Sequence, residues 1–393
     1  MQKQNFSRLF RLPVLFFVAA IFITSCSKNS EQAVEPKYLV SATQITEVTK
    51  ASIDARLNNP ITTALSKFSV KVYKIVYKTK DLAGNEIQAS GAVFVPTTTD
   101  KVSLVSYQHG TITKDSDAPS NFSGEGEVGS LAPLYASIGY VISAPDFLGF
   151  GASKQIPHPY QHRNSLATAS IDMLRATREF CQSQNVGLTE RLFLTGYSLG
   201  GFATMAMQKM IEEQFSSEFK ITASAMGAGA YNTTAFSQFV IGQNTNLTFI
   251  NSYIWVLQTY NTIYGLNRPM SAFFTEPNAT KIQQQGPFAT VALNPKDLFI
   301  PTFRDGVINS TDVPIMNALK DNDIFDWKPQ VPTLLVHGRA DDFVIPLNSQ
   351  SAYDAMRKRG ATNVELALVD GNHGTAVPAY ILQMYSFFFK YNQ

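Results

Sequence analysis

The sequence predicts an α/β fold with a mostly parallel central sheet flanked by helices. Three observations predict this class. Short apolar segments of strand length alternate with segments of helical periodicity, a rhythm typical of parallel sheets. Glycine-rich turns follow several of the strand-like segments. The alternation also stops at residue 231 and resumes at residue 328, so a separate unit interrupts the sheet-forming chain.

The predicted elements follow one another in a regular order. Residues 68–80 alternate apolar and polar side chains, and a turn at Gly84 leads into a second strand over 86–96, so these two strands form an antiparallel pair. The other predicted strands are 102–107, 140–146, 191–195, 220–230, 331–337 and 364–369, and the predicted helices are 131–138, 164–184, 202–210, 350–359 and 375–391.

A Gly-x-Ser-x-Gly pattern over residues 196–200 has Ser198 at its centre. It lies where the predicted strand 191–195 turns into the predicted helix 202–210, which is the context of a nucleophile elbow. Glycine leaves room where strand and helix nearly touch, and the helix directs its free N–H groups towards the serine. The pattern alone also fits a structural turn with a capping serine, so its interpretation depends on partner residues.

Partner residues for Ser198 occur in the expected chain order. A serine nucleophile needs a base, and the base needs an acid that orients it. His373 lies in the loop after the last predicted strand, and Asp341 lies in the loop after the strand before it. The order Ser198, Asp341, His373 is the one that accompanies this elbow. Asp342 competes with its neighbour for the acid role.

The chain resembles the α/β-hydrolase superfamily from about residue 68 to the C-terminus, apart from the insertion. Segments 107–111, 144–151 and 158–160 look like the secretory lipase and esterase branch. The resemblance implies an α/β-hydrolase fold and a serine hydrolase that cleaves carboxylic esters. The family pattern His-Gly-x-x-Asp-x-x-Val matches Asp341 as the acid, whereas counting back from the following proline favours Asp342.

Two backbone N–H groups are predicted to form an oxyanion hole. They belong to Leu199, which follows the nucleophile, and to Thr111, in the loop after strand 102–107. His109 in the same loop is predicted to hold that loop in place. His158 and His162 lack the spacing of a metal motif, so they are predicted to cap and pack, and neither a metal nor a cofactor is predicted.

The predicted chemistry is acyl transfer. His373 removes the proton of Ser198, which attacks an ester carbonyl, and water then hydrolyses the acyl-enzyme. Activity is expected to fall as His373 protonates, below about pH 6 to 7. Asp146 is predicted to bind backbone N–H groups of the turn 149–151 and not to act as an acid. A serine peptidase, a polysaccharide-acyl esterase and a non-catalytic surface binding protein remain as alternatives.

Residues 231–327 are rich in aromatic side chains and asparagine, and they are too many for a loop inside a compact domain. We expect a mainly helical cap or lid over the active site. The alternative is a second independent domain. Some of the cap aromatics would then line an acyl pocket, while the others would form the cap's own core.

Composition and the N-terminal segment limit the partners that we expect. The formal net charge is +2 without a basic stripe, so nucleic acid is not an expected partner. The resemblance implies an ester or lipid substrate. A basic segment at 3–11 precedes an apolar run at 12–23 that is short for a membrane span. Residues 23–26 resemble a bacterial lipobox, which implies cleavage before Cys26 and its lipidation. A secretory peptide with a chance cysteine is the alternative.

These inferences divide the chain and place it in the cell envelope. A lipid on Cys26 would tether the protein to a membrane without spanning it, and Ser27 favours the outer over the inner membrane by lipoprotein sorting rules. The oligomeric state and the membrane face are not predicted. The predicted divisions are a signal peptide at 1–25, a lipidated N-terminus and tether at 26–57, core at 58–230, cap at 231–327, and core at 328–393.

Overall fold

A nine-stranded sheet runs through the part of the chain that the computed structural model describes, residues 37–57, 63 and 65–393. Its strands are β1 Leu39–Val48, β2 Val70–Lys80, β3 Glu86–Pro96, β4 Val102–Gln108, β5 Tyr140–Pro145, β6 Leu188–Tyr197, β7 Ile221–Gly227, β8 Thr333–Gly338 and β9 Val364–Val369. They lie side by side in the order β1-β2-β3-β5-β4-β6-β7-β8-β9.

The sheet is antiparallel at one end and parallel over the rest. β1, β2, β3 and β5 pair antiparallel, and β5, β4, β6, β7, β8 and β9 pair parallel. The predicted mostly parallel α/β class is therefore confirmed. Because the parallel strands all end at one edge of the sheet, the loops after β4, β6 and β8 meet there.

Helices cover both faces of the sheet. The helices of the core are α1 Lys50–Leu57, α2 Gly126–Ser137, α3 Arg163–Ser183, α4 Leu199–Gln214, α11 Leu347–Lys358 and α12 Val377–Tyr391. On one face α3, α4 and α11 bury Leu166, Phe202 and Met356. On the other face α2 and α12 bury Tyr135 and Phe388. Burial of these side chains on both faces is the main force that holds the layers together. No helix of the described chain has the length and apolar character needed to cross a bilayer.

The chain between β7 and β8 is mainly helical. Its helices are α5 Thr233–Gly242, α6 Ile250–Ile263, α7 Asn278–Gln285, α8 Pro295–Leu298, α9 Pro301–Ile308 and α10 Val313–Asp321. They bury a core of their own that includes Ile254, Phe273, Phe303 and Leu319. This inserted unit, called the cap below, therefore has a hydrophobic core that is separate from the core of the central sheet.

The predicted tether over 26–57 is wrong in its second half. Strand β1 and helix α1 occupy it, and β1 pairs with β2 at the edge of the sheet. Most side chains of β1 are exposed, so no apolar alternation marks the strand in the sequence. Backbone hydrogen bonds hold it instead, and the Glu179 carboxylate accepts the N–H groups of Tyr38 and Leu39 at 2.9 and 2.7 Å. The predicted signal peptide and Cys26 lie outside the described residues.

Candidate active site

Ser198 lies on a strained turn between β6 and α4. Its φ is 58° and its ψ is −122°, a conformation that residues other than glycine rarely adopt. The Ser198 N–H donates to the Gly227 oxygen at 2.9 Å, which ties the turn to β7. A Cβ on Gly196 would lie 2.5 Å from the Gln108 oxygen, and one on Gly200 would lie 2.0 Å from it. Both glycines are therefore required by the close approach of β4.

The side chains of Ser198, His373 and Asp341 form a continuous hydrogen-bonded chain. Ser198 Oγ lies 2.9 Å from His373 Nε2, and His373 Nδ1 lies 2.7 Å from Asp341 Oδ2. A carboxylate only accepts, so Nδ1 carries the proton and Nε2 is free to accept from the serine hydroxyl. Asp342 is exposed and forms no hydrogen bond with His373 in the described structure.

The Asp341 carboxylate is held from both sides. Its Oδ1 accepts the backbone N–H groups of Phe343 and Val344 at 3.0 and 2.9 Å. Burial raises the pKa of Asp341, but hydrogen bonds and charge interactions with His337 and His373 outweigh this effect and lower the pKa to about 2. The carboxylate therefore stays ionised throughout the range in which histidine titrates.

His337 belongs to the site, although the sequence analysis assigned it no role. It is fully buried, and its Nε2 lies 2.5 Å from the Val344 oxygen and 3.4 Å from Asp341 Oδ2. Nδ1 lies 2.7 Å from Ser349 Oγ. A carbonyl oxygen only accepts, so the proton is on Nε2 and points towards the Asp341 loop. The only sequence signal for this role is its place at the start of the His-Gly-x-x-Asp pattern.

Two aromatic rings hold the His373 imidazole. The ring of Tyr197 is centred 5.3 Å from it and that of Phe343 4.9 Å from it. The Tyr197 hydroxyl also donates to the His373 carbonyl oxygen at 2.8 Å. The residue before the nucleophile and the residue two after the acid thus restrict the motion of the base between them.

The two predicted oxyanion donors lie at the start of α4 and in the loop after β4. Leu199 is the first residue of α4, so its N–H has no acceptor within the helix. The Thr111 N–H donates to no other described residue, and Thr111 Oγ1 lies 2.8 Å from the hydroxyl of Tyr160. His109 Nδ1 lies 2.7 Å from the Gly110 oxygen, so this histidine contacts the loop it was predicted to hold.

The prediction that Asp146 binds the turn 149–151 is wrong in its detail. Its carboxylate accepts from Ser90 Oγ at 2.5 Å and from the Ser120 N–H at 2.8 Å. Ser90 Oγ in turn accepts the Ala152 N–H at 2.7 Å. Asp146 therefore acts on the turn through a serine of β3, a neighbour that only the sheet topology brings to it.

The two other histidines near the cap have structural contacts: His162 caps a helix and His158 packs against a loop. His162 Nδ1 accepts the Ser165 N–H at 3.4 Å and caps α3. His158 Nδ1 lies 2.6 Å from the Leu148 oxygen, and burial lowers the pKa of His158 to about 4. Among the described residues, no group of three or more His, Cys, Asp or Glu side chains is arranged to hold a metal ion.

An apolar cavity lies between Ser198 and the cap. Its volume is about 830 Å³ when the solvent-filled space at its opening is included. Its walls come from four cap segments, from the segment before α3, from the elbow and from the loops after β7 and β8. The cap side chains that line it include Phe236, Val240, Val256, Phe299, Phe303 and Leu319. Tyr160, Gln161 and Ser252 add polar groups to this wall. The arrangement places a nucleophile at the wall of a pocket suited to an apolar group.

Comparison with known proteins identifies the family and the fold of the chain. A family model described as secretory lipase matches residues 120–379. A search of curated proteins gave no significant match. A candidate hydrolase from Legionella pneumophila is 27% identical with a TM-score of 0.83, covering 91% of this chain and 99% of its own. LipA, a rice cell wall degrading esterase from Xanthomonas oryzae, is 27% identical with a TM-score of 0.77, covering 90% and 97%.

Candida antarctica lipase A in its closed state is 15% identical with a TM-score of 0.66, covering 90% of this chain and 83% of its own, and it supports the fold alone. The family match spans more than half of the 393 residues. The predicted α/β-hydrolase fold and the resemblance to the secretory lipase and esterase branch are thereby confirmed. The chain belongs to the secretory lipase family and is a carboxylic ester hydrolase.

Proposed function

We propose that Ser198 is the nucleophile, His373 the general base and Asp341 the orienting acid of this ester hydrolase. The observation that carries the proposal is the hydrogen-bonded chain of 2.7 and 2.9 Å that ends on a strained elbow serine. The alternative acid, Asp342, is exposed, and the His373 imidazole bonds to Asp341 instead.

The reaction has two halves. His373 Nε2 takes the proton of Ser198 as Oγ attacks the ester carbonyl, and Asp341 stabilises the imidazolium that forms. The imidazolium returns the proton to the leaving alcohol, and the acyl group remains on Oγ. Water enters, gives its proton to Nε2 and attacks the acyl carbon, after which the proton returns to Ser198 and the acid leaves.

Backbone N–H groups stabilise the tetrahedral oxyanion in both halves. The Leu199 N–H lies at the positive end of the α4 dipole, which favours negative charge at this position. The Thr111 N–H is the second donor in this proposal. Its loop is held by His109 and, through the Thr111 hydroxyl, by Tyr160.

The apolar cavity supports an ester with a medium or long acyl chain as substrate. A chain of methylene groups gains free energy by leaving water for such a wall, whereas a peptide would bury unpaired amide groups there. The cavity also lies directly against the nucleophile, since Ser198 contributes to its wall. A lipase or long-chain esterase therefore fits the site better than a peptidase does.

Hydrolysis of p-nitrophenyl esters from acetate to palmitate tests the proposal, with Ser198→Ala as the control. We expect turnover to rise with acyl chain length beyond butyrate. The Ser198→Ala variant should lose almost all of this activity. Wild-type rates in a correctly folded Ser198→Ala variant would remove Ser198 from the mechanism. Labelling of the wild type alone by a fluorophosphonate would identify the same serine independently.

A polysaccharide-acyl esterase is the second candidate. It is supported by the likeness to LipA, which is described as a cell wall degrading esterase. Release of acyl groups from acylated glycans, measured beside the p-nitrophenyl series, distinguishes the two. Glycan deacylation that exceeds hydrolysis of the long-chain esters would favour this second candidate.

We infer that Cys26 carries a lipid that tethers the enzyme to the bacterial envelope, with the outer membrane favoured. The inference rests on the lipobox-like residues 23–26 and on the basic and apolar segments before them. Metabolic labelling with a palmitate analogue should mark the wild type and not Cys26→Ser, and membrane fractionation should move the variant to the soluble fraction. Equal labelling of both proteins would contradict the inference.

A further inference from the structure

Gln161 occupies an unusual place in the wall of the cavity. It lies between β5 and α3 with φ at 57°, a left-handed conformation that glutamine rarely adopts. Its carbonyl oxygen accepts a hydrogen bond from the Tyr260 hydroxyl of α6 at 2.8 Å, which ties this backbone to the cap. Tertiary contacts such as this one hold the backbone in a conformation that is locally unfavourable.

The amide oxygen of Gln161 is a buried acceptor in the wall of the cavity. The residue is 8% exposed, and its Oε1 accepts no hydrogen bond from any described residue. Buried polar atoms are almost always paired, so an unpaired one in a ligand pocket marks a contact that a ligand completes. Gln161 and Ser198 line the same cavity.

Other polar side chains lie in the same, mostly apolar, cavity wall. The Tyr160 hydroxyl lies in the same wall and is 2.8 Å from Thr111 Oγ1. Ser252 of α6 faces the cavity from the cap side. The two ends of the pocket wall thus differ, since the surfaces contributed by α9 and α10 are Phe303, Ile315 and Leu319.

We propose that Gln161 is the centre of a polar subsite that binds a hydroxyl group of the ester substrate. A hydroxyl both donates and accepts, so it pairs with the amide in either of its two orientations. An unsubstituted alkyl group at the same place leaves Oε1 buried and unpaired, and it is therefore the poorer substrate. The subsite refines the substrate class of the proposed function and rests on it.

The hydroxyl can belong to the acyl chain or to the alcohol, and matched substrates separate these sources. For the acyl side, methyl 3-hydroxydodecanoate and methyl 12-hydroxydodecanoate are compared with methyl dodecanoate. For the alcohol side, glycerol 1-monododecanoate is compared with propyl dodecanoate. Each pair is offered to the full chain in competition, so that the ratio of kcat/KM values is measured directly.

Gln161→Met removes the amide and keeps an unbranched side chain of similar length and the same backbone constraint. Gln258→Met is the matched control, because Gln258 lies on α6 outside the cavity wall. We expect the wild type and Gln258→Met to favour the hydroxylated member of one pair by about tenfold. Gln161→Met should bring that ratio close to one.

Two results would overturn the subsite. One is a wild-type ratio close to one in both pairs, and the other is a ratio that Gln161→Met leaves unchanged. Failure of the proposed function gives a different result, in which Ser198→Ala hydrolyses these esters as fast as the wild type. Calorimetric binding of the same pairs to Ser198→Ala, with and without Gln161→Met, measures the subsite apart from turnover.

Discussion

The carboxyl edge of the sheet and the cap face each other across one cavity, and they are built differently. At the sheet edge, short hydrogen bonds from backbone and side chains hold Ser198, His373 and Asp341. On the cap side, the wall consists mostly of apolar side chains such as Phe236, Val256 and Phe303. Directional bonds define the one surface, and shape and apolar area define the other.

This difference suggests that the sheet edge controls the rate of the reaction and that the cap controls substrate selectivity. Hydrogen bonds depend on distance and angle, so changes at the sheet edge should act on the rate of the chemical step. Apolar contacts are non-directional and scale with area, so changes in the cap should act on which acyl group is accepted. The segment around Tyr160 touches both regions, since its ring stacks on Trp255 of α6 at 4.3 Å and its hydroxyl contacts Thr111.

The largest effect is expected from the orienting acid. Asp341→Asn removes the acceptor that keeps the His373 proton on Nδ1, and kcat should fall by about 10⁴-fold. Asp342→Asn is the matched control and should change kcat by less than about twofold, because this carboxylate is exposed. Steady-state kinetics on one long-chain ester measures both. Equal losses in the two variants would show that the wrong aspartate has been assigned.

The contact between core and cap at His158 should make the stability of the protein depend on pH. His158 packs against Trp255 of the cap at a ring distance of 5.4 Å, and burial lowers its pKa to about 4. Between pH 6.5 and 4 the unfolded chain binds a proton here that the folded chain does not. The contribution to stability is thus complete above pH 6.5 and is lost as the pH falls towards 4, an effect of about 3 kcal/mol.

Denaturant unfolding at pH 7 and pH 4.5 measures this contribution. In His158→Gln the free energy of unfolding should fall less between pH 7 and pH 4.5 than in the wild type, by about 2 kcal/mol. The variant should still lose some stability on acidification, because burial also lowers the pKa of His162 to about 4. Identical pH dependence in wild type and variant would mean that His158 is protonated without cost in the folded protein.

A change confined to the cap should alter selectivity and leave the chemistry intact. Leu319 of α10 lines the cavity, and Leu319→Trp would fill part of it. We expect kcat/KM for palmitate esters to fall by about tenfold while that for acetate esters stays the same. Leu347→Trp serves as a control at an exposed position of α11. A uniform loss across all chain lengths would instead mean that the cap supports the catalytic geometry.

The smallest effect is expected at the segment that joins the two regions. Tyr160→Phe keeps the stacking on Trp255 and removes the hydroxyl contact with Thr111, so kcat should fall about fivefold with KM nearly constant. Thr111→Val should have a similar effect, and the double variant should be no slower than either single one. Additive losses would show that the two hydroxyls act independently.

Much of the fold could be predicted because the parallel strands are buried. Strands such as β4 and β8 are buried throughout and rich in apolar residues, and α3 repeats its buried positions with the helical period. Strand β1 could not be predicted, because it is held by backbone pairing with β2 and its side chains are mostly exposed. The cap was predicted only as helical, since packing within it decides where its helices lie.

The candidate site divides in the same way. Ser198, Asp341 and His373 could be named because local motifs at strand ends mark each of them. The choice between Asp341 and Asp342 could not be made from motifs alone, since two adjacent carboxylates differ only in which way the loop turns them. The partners of Asp146 and the place of His337 also depend on neighbouring strands and loops distant in the chain.

The order of the buried strands and helices, the elbow with its glycines, and the residue types available for acyl transfer follow from the sequence alone. These are local properties, set by side-chain periodicity, backbone sterics and the spacing of short motifs. The folded chain is needed to show which carboxylate meets His373, how Tyr160 connects the cap to Thr111, and why the Gln161 amide oxygen is buried and unpaired. Those contacts join segments far apart in the chain, and their geometry depends on how the whole molecule packs.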